Sequence, residues 1–228
     1  MPQFDDVTIE RIFGADDAEN EDASRFKEYF YRNRAYESLI ADLSSRILVG
    51  HKGVGKSALL RRAFLEDQEA KHPSIWIRPN DIAEVRSAAA SQSDFILRIE
   101  EWKKGILLDI IEVYFGEVYG RDSKSVLDEI RTSKTRDLIK LIERALDDNS
   151  ETKTINIYID DIDRGWSASQ NDIRNISALL NAIRDIGGYS SRIRFRIGLR
   201  SDVYFLVRTS DESTDKIERN VIWLRWTN

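Results

Sequence analysis

Gly50-His51-Lys52-Gly53-Val54-Gly55-Lys56-Ser57 decides the fold, because its spacing of Gly, four residues and Gly-Lys-Ser predicts a loop that binds phosphate. The segment 46–49 before it is short and largely apolar, as in a buried strand, and 56–64 after it has an apolar helical face. The glycines let successive N–H groups turn inward, and the helix adds its own N–H groups and the positive end of its dipole. A strand, a phosphate loop and a helix are therefore predicted in this order.

Two residues of this loop have direct roles in binding a nucleotide. Lys56 places a positive charge near the β- and γ-phosphates, and the Ser57 hydroxyl is a predicted Mg²⁺ ligand. The predicted nucleotide-binding residues are Gly50, His51, Lys52, Gly53, Val54, Gly55, Lys56, Ser57 and Ala58. A glycine-rich turn that fits the spacing by chance is the alternative, and the flanking strand and helix disfavour it.

Length and composition narrow the class of protein. The chain has 228 residues, of which 41% are hydrophobic and 33% charged, which fits one α/β domain with a highly charged surface. It has no cysteine and two histidines, which excludes disulfides and thiolate zinc sites and disfavours a histidine metal cluster. The N-terminus is acidic and no run reaches 18 apolar residues, so we expect a soluble, cytoplasmic protein without a membrane segment. The net charge of −5 gives no general attraction to nucleic acid, although a local basic patch stays open.

Apolar periodicity divides the chain into two predicted parts. Residues 1–45 are predicted to form an acidic segment and a helix, from about 24 to 43, that packs on the core. Residues 46–228 are predicted to form the α/β core that contains the phosphate loop, with a helical insertion at about 80–150. Strands are also expected at 74–78, 154–160, 193–199 and 221–226, and helices at 57–70, 95–118, 135–147, 172–186 and 201–208. Asn171 or Asp172 is expected to cap the helix at 172–186, and Gly187-Gly188 to end it.

The second half of the predicted site is a pair of acids that follows an apolar strand. Asp160 ends the run Asn156-Ile157-Tyr158-Ile159 and is the expected magnesium partner, through a water, since Mg²⁺ keeps several of its waters. Asp161 is the expected group that polarises the attacking water. The alternative is an ordinary acidic turn. The phosphate loop upstream favours the functional interpretation, because ligands of open α/β sheets bind at the carboxyl ends of strands.

Arginines near the predicted site have two interpretations each. Arg200 ends the fourth strand and, if that strand lies beside the first, reaches the γ-phosphate; otherwise it is a surface residue. Arg194 and Arg196 alternate with apolar residues, which indicates a half-exposed strand with a solvated face or a small basic patch. Arg164 is either an arginine finger toward a neighbouring subunit or a local ion-pair partner of Asp163.

Several motifs together resemble the STAND and KAP-type P-loop ATPases, which are relatives of AAA+ proteins. They are Gly50 to Ser57 as Walker A, Ile155 to Asp161 as Walker B, the string Asp160-Asp161-Ile162-Asp163-Arg164, and Arg200 at a strand end. Ile12-Phe13-Gly14-Ala15 with Ala18-Glu19 is also similar to the lead-in of a bacterial subgroup. The resemblance implies a three-layer sandwich around a parallel sheet of order 5-1-4-3-2, with the Arg200 strand between the two Walker strands. It also implies ATP, Mg²⁺, and a switch in a bacterial anti-phage defence or signalling protein that changes its own oligomerisation or its contacts with an effector.

The chain departs from this group at two points. Asp161 stands where the wider class usually has a glutamate, and the shorter side chain leads us to expect slow turnover. The relatives continue past the fifth strand into a helical lid, whereas this sequence stops at Asn228, so we expect a fragment without the lid and effector parts.

The sequence thus predicts an enzyme that hydrolyses Mg-ATP slowly, with Asp161, Lys56 and Arg200 as catalytic residues and Ser57 and Asp160 as metal ligands. The alternatives are a nucleotide-binding assembly module without turnover, a small-molecule kinase and a DNA-dependent ATPase or loader. No acceptor pocket for a kinase is visible in the sequence, and the absence of the guanine-specific Asn-Lys-x-Asp favours adenine.

Overall fold

A five-stranded parallel sheet organises the part of the chain that the computed structural model describes, which is residues 22–119, 130–149, 151, 153–210 and 217–225. Its strands are β1 (Ser45–Gly50), β2 (Ser74–Ile77), β3 (Ile155–Ile159), β4 (Ile193–Arg200) and β5 (Val221–Trp223). They lie in the order β2-β3-β4-β1-β5, and every neighbouring pair is parallel. This is the predicted order 5-1-4-3-2 counted from the other edge, so the predicted fold class is confirmed.

Helices connect the strands and cover both faces of the sheet. They are α1 (Ala23–Tyr29), α2 (Arg34–Ile40), α3 (Lys56–Glu69), α4 (Ala83–Ser91), α5 (Phe95–Tyr119), α6 (Thr135–Asn149), α7 (Gln170–Tyr189) and α8 (Ser201–Ser210), and a short 3₁₀ turn at Glu218–Asn220 precedes β5. Successive side chains of a strand point to opposite faces. Accordingly Ile47 and Val49 of β1 pack with α5, α6 and α7, whereas Leu48 packs with α2 and α3. The result is a three-layer sandwich.

The helical insertion predicted between strands 2 and 3 is present as α4, α5 and α6. Gly105 of α5 lies against Val85 of α4 so closely that a Cβ at position 105 would collide with the valine side chain. This glycine therefore allows the two helices of the insertion to approach each other. No helix within the described ranges is long and apolar enough to cross a membrane.

Three expectations about the helices are wrong. The stretch 24–43 forms two short helices with separate caps at Asp22 and Asn33, and not one continuous helix. Helix α7 is capped by Ser169, whose side chain accepts from the Asp172 N–H, and it continues through Gly187 and Gly188 to Tyr189. A Cβ on Gly187 would lie 3.0 Å from the Cβ of Ser44, so Gly187 serves close packing here, and neither glycine ends the helix. The acidic segment up to residue 21, including the lead-in motif, lies outside the described residues.

The expected solvated face of β4 is also wrong. Arg196 is 2% exposed, and its guanidinium donates to the carbonyls of Ala41 and Leu43, each at 3.0 Å. Arg194 pairs with Asp42 at 2.5 Å. Burial lowers the pKa of Arg196 to about 10. Because β4 lies at the centre of the sheet, its arginines hold the segment that leads into β1 and do not form a surface patch.

Candidate functional site

A cavity of about 900 Å³ lies at the carboxyl edge of the sheet, where β1, β3 and β4 end. The predicted residues that line it are Lys52, Gly53, Gly55, Lys56, Ser57, Ala58, Asp160, Asp161 and Arg200. The topology thus brings both predicted halves of the site into one cavity, although they lie about a hundred residues apart in the chain. The lining also includes Asp163, Arg164, Gly165, Trp166 and Gly198, which were not among the predicted site residues.

The glycine loop between β1 and α3 has the conformation that a phosphate cradle needs. Gly53 and Gly55 have φ of 78° and 99°, a left-handed region that residues with a side chain rarely adopt. A Cβ at either position would meet nothing within 4 Å, so the space in front of the loop is open. Helix α3 begins at Lys56 and no side chain caps it, which leaves its first N–H groups directed at the cavity.

Three of the predicted loop residues support the loop and do not line the cavity. Val54 is 7% exposed and packs in the core. His51 lies with Nδ1 3.2 Å from the Ser201 hydroxyl, which ties the loop to the end of β4. Gly50 has no room for a side chain, because its Cβ would lie 2.7 Å from Val54 Cγ1 and 2.8 Å from the Leu224 carbonyl.

Lys56 is the cation at the centre of the cavity. Its Nζ donates to the carbonyls of Gly50 and His51, each at 3.0 Å. Burial lowers the pKa of Lys56, and the negative charges of Asp160, Asp163 and Asp161 oppose this shift. The ammonium group therefore contacts the glycine loop after β1 and interacts with the charges of the acids after β3.

The Asp160 carboxylate lies in a space that a glycine of the neighbouring strand leaves open. Asp160 is 4% exposed and directly follows β3, opposite Gly198 of β4. A Cβ on Gly198 would collide with the Asp160 carboxylate and would lie 3.0 Å from Leu60 Cδ1. The sequence carried a signal for this, since a glycine inside an apolar strand marks a close approach.

The loop after β3 places two more carboxylates at the cavity. Asp161 is exposed and has φ of 54°, whereas Asp163 is only 6% exposed. Burial raises the pKa of the Asp163 carboxyl. Its Oδ2 receives no hydrogen bond from the described residues and lies 3.6 Å from Arg200 Nε. Asp163 was named in the sequence only as a partner for Arg164, and the structure pairs it with Arg200 instead.

Arg200 ends β4 between the ends of β1 and β3, as the strand order predicted. Its guanidinium donates twice to Asp202, from Nε at 3.1 Å and from Nη2 at 2.5 Å. These hydrogen bonds raise the pKa of Arg200. Arg164 is exposed at the same cavity, and its carbonyl accepts a hydrogen bond from Arg86 of α4 at 2.8 Å. The insertion thereby contacts the loop that carries the acids.

The residues present fit a magnesium nucleotide by their donor set and shape. The loop and the uncapped start of α3 offer N–H donors for phosphate, and Lys56 and Arg200 offer charge. The Ser57 hydroxyl and the Asp160 carboxylate are oxygen ligands of the kind Mg²⁺ takes, with waters and phosphate completing its shell.

Comparison with solved structures shows a distant similarity. A solved Walker-type ATPase of Pyrococcus abyssi is similar to this chain with a TM-score of 0.43 and 17% identity, over 82% of this chain and 50% of that one. The chain thus spans half the length of that protein. No protein-family model matches the chain, and no curated protein does. These comparisons assign the chain to no family.

Proposed function

We propose that this chain binds Mg-ATP and hydrolyses it slowly. One observation carries the proposal: the glycine loop with its uncapped helix, Lys56, the buried Asp160 and Arg200 all border one cavity at the carboxyl edge of a parallel sheet. This is the edge at which open α/β sheets bind ligands.

Different groups of the site bind the phosphates and the metal ion. The N–H groups of the loop and of the first turn of α3 bind phosphate oxygens, and Lys56 neutralises the charge of the β- and γ-phosphates. Ser57 and Asp160 hold Mg²⁺, which neutralises phosphate charge when it is bound. Gly198 keeps the Asp160 carboxylate in place by leaving room for it.

The remaining charged groups fit hydrolysis. Arg200 stands opposite Gly50 in the strand register, at the mouth of the loop, where its positive charge stabilises the phosphoryl group during transfer. An acidic residue of the loop after β3 orients the attacking water, and the sequence assigns this role to Asp161. No more than slow turnover is expected, because this residue is shorter than the usual glutamate.

The wider role is proposed from the motif resemblance alone. In that resemblance the chain is the ATPase module of a bacterial defence or signalling protein, and ATP changes its oligomeric state or its contacts with an effector. The contact between Arg86 of the insertion and the Arg164 carbonyl supports a switch, because it links the helical insertion to the loop beside the site.

The first test is the melting temperature with and without millimolar Mg-ATP, for the wild type and for Lys56→Ala. A ligand at 100 times its dissociation constant stabilises the native state by about 2.7 kcal/mol, which corresponds to roughly 5–11 °C for a chain of this size. We expect this shift in the wild type and its loss in Lys56→Ala. A wild type that shows no shift contradicts the proposal. If the shift is seen, a measurement of phosphate release from ATP distinguishes an enzyme from a module that only binds the nucleotide.

A further inference from the structure

Two acids of the loop after β3 differ in how the fold holds them. Asp161 is exposed, so bulk water solvates its side chain. Asp163 is 6% exposed and lines the same cavity as Lys56 and Arg200. A group that acts on one water molecule in a nucleotide site needs a fixed position and little competition from solvent. Of the two acids, Asp163 meets both conditions.

The hydrogen bonding of Asp163 leaves one oxygen available for a ligand. Its Oδ2 is buried yet receives no hydrogen bond from the described residues. Buried polar atoms in folded proteins almost always have a partner, so an exception calls for an explanation. Because Asp163 is one of the residues that line the cavity, a water or substrate oxygen held there is the partner that fits its carboxylate.

The backbone around Asp163 is fixed from three sides. Ile162 is 3% exposed and belongs to the core, and the Trp166 N–H donates to the Asp163 carbonyl at 3.0 Å. On the far side, Arg86 donates to the Arg164 carbonyl at 2.8 Å. These contacts hold the loop in one shape, which is what a residue that orients a reactant requires.

Asp163 is not needed to orient Arg200. The guanidinium of Arg200 already donates two hydrogen bonds to Asp202, whereas Asp163 Oδ2 lies 3.6 Å from Arg200 Nε, beyond hydrogen-bond distance. A purely structural role as an arginine anchor therefore belongs to Asp202. Asp163 lines the same cavity as Lys56, and its carboxylate lies 3.6 Å from Arg200; these two cations are proposed to bind the γ-phosphate.

We propose that Asp163, and not Asp161, is the catalytic residue that orients the attacking water, an inference that rests on the proposed ATP hydrolysis. The Asp163 carboxylate accepts a hydrogen bond from the water. The water oxygen forms a bond to the γ-phosphorus, while the bond from that phosphorus to the β–γ bridging oxygen breaks and ADP leaves with the electron pair. The proton lost by the water passes to Asp163, which releases it to solvent before the next cycle.

The experiment compares three carboxylate-to-amide variants of the full chain: Asp163→Asn, Asp161→Asn and Asp202→Asn. Binding of Mg-ATP is measured with a fluorescent nucleotide, and kcat by phosphate release. Loss of a group that takes a proton in the transition state lowers kcat by about 100-fold or more. We expect this loss for Asp163→Asn with ATP affinity within about threefold of the wild type, and losses below about tenfold for the other two variants.

Asp202→Asn is the matched control, because it removes a carboxylate that also contacts Arg200 but does not line the cavity. A double variant sharpens the result. If Asp163 acts on water, Asp163→Asn lowers kcat further in an Arg200→Ala background; if it acts only through Arg200, the second change has no effect and the assignment is wrong.

The remaining outcomes are also distinguishable. An Asp163→Asn variant that hydrolyses ATP at the wild-type rate, or one that loses ATP binding and not kcat, contradicts this assignment and leaves the proposed function standing. A large loss of kcat in Asp161→Asn alone does the same. A wild type that binds ATP without releasing phosphate contradicts the proposed hydrolysis, and the catalytic role of Asp163 with it.

Discussion

Two carboxylates, Asp67 of α3 and Asp163 after β3, differ in the hydrogen bonds that they accept. Asp67 lies near the end of α3 and accepts hydrogen bonds from the Tyr158 hydroxyl at 2.6 Å and from Asn156 Nδ2 at 2.8 Å. His72 Nδ1 lies 3.1 Å from its other oxygen. Asp163, beyond the end of β3, has one oxygen without any hydrogen bond from the described residues.

We infer from this difference that Asp67 has a structural role, whereas Asp163 has the catalytic role proposed above. At the Asp67 end, the hydrogen bonds from Asn156 and Tyr158 join β3 to α3, and burial raises the pKa of Tyr158 so that its hydroxyl remains a donor. At the Asp163 end, the space is kept open by glycines and the charges face a cavity. Proteins accept such poorly satisfied groups at sites where function requires them.

The largest expected effect on stability is that of Asp67→Ala. The substitution leaves the Tyr158 hydroxyl and Asn156 amide buried without their acceptor, and each such loss costs about 1–3 kcal/mol. We expect a decrease of about 3 kcal/mol in the free energy of unfolding, or roughly 10 °C in melting temperature. Urea unfolding and thermal melting measure it. A loss below about 1 kcal/mol would contradict the structural role of Asp67.

Gly198→Ala comes next, because it fills space at the cavity end. The new methyl group collides with the Asp160 carboxylate and must displace it. We expect the Mg²⁺ concentration for half-maximal ATP binding to rise about tenfold or more, as when the support of a metal ligand is lost. Gly188→Ala is the matched control, since a Cβ there meets nothing within 4 Å. If both variants need the same Mg²⁺ concentration for half-maximal ATP binding, the space at Gly198 is not needed to position the Asp160 carboxylate.

These comparisons also show where prediction from the sequence succeeds and fails. The phosphate loop, the acid at the end of β3 and the strand order rest on local spacing or on a motif, and they were predicted. Gly198 facing Asp160, Arg196 bonding the carbonyls of Ala41 and Leu43, and Gly187 against Ser44 depend on which segments become neighbours. Local propensity alone therefore misplaced the end of α7 and the exposure of β4.

The position of Asp163 in the lining of the cavity was not predicted, for the same reason. In the sequence it is one of three acids within four residues, and spacing does not distinguish them. Only the fold buries this one and leaves Asp161 exposed. The roles of the individual site residues stay predictions until they are measured.

A third carboxylate, Asp109 of α5, tests whether an unsatisfied acid alone marks a functional site. Its Oδ2 also receives no hydrogen bond from any residue that the structure describes, and burial, together with the charges of Glu112 and Asp81, raises its pKa to about 7. It is not among the residues that line the cavity, and the charges that shift its pKa are those of two acids. We therefore expect Asp109→Asn to change stability and leave ATP binding unchanged.

The sign of this effect follows from the raised pKa. Between the unfolded value of 3.8 and about 7, the native state binds more protons than the unfolded state, so the wild type loses stability as the pH rises through this window. Asp109→Asn removes the loss. We expect the variant to be about 1–2 kcal/mol more stable than the wild type at pH 8, which is less than the full difference between the folded and unfolded pKa allows. Near pH 4 we expect the two proteins to be equally stable. Urea unfolding at both pH values measures it, and equal differences at both would contradict the assignment of this group.

Asp163→Ala is expected to have the smallest effect on stability. The substitution removes a buried carboxylate whose Oδ2 accepts no hydrogen bond within the described part of the chain. It also removes an ion pair to Arg200, whose side chain is 41% exposed. Such partly exposed pairs contribute about 0–1 kcal/mol, and relief of the buried charge acts in the opposite direction. The free energy of unfolding should stay within about 1 kcal/mol of the wild type, against a loss of about 3 kcal/mol for Asp67→Ala. If Asp163→Ala destabilises the protein as much as Asp67→Ala does, then Asp163 is a structural group, and its burial no longer argues for a role in catalysis.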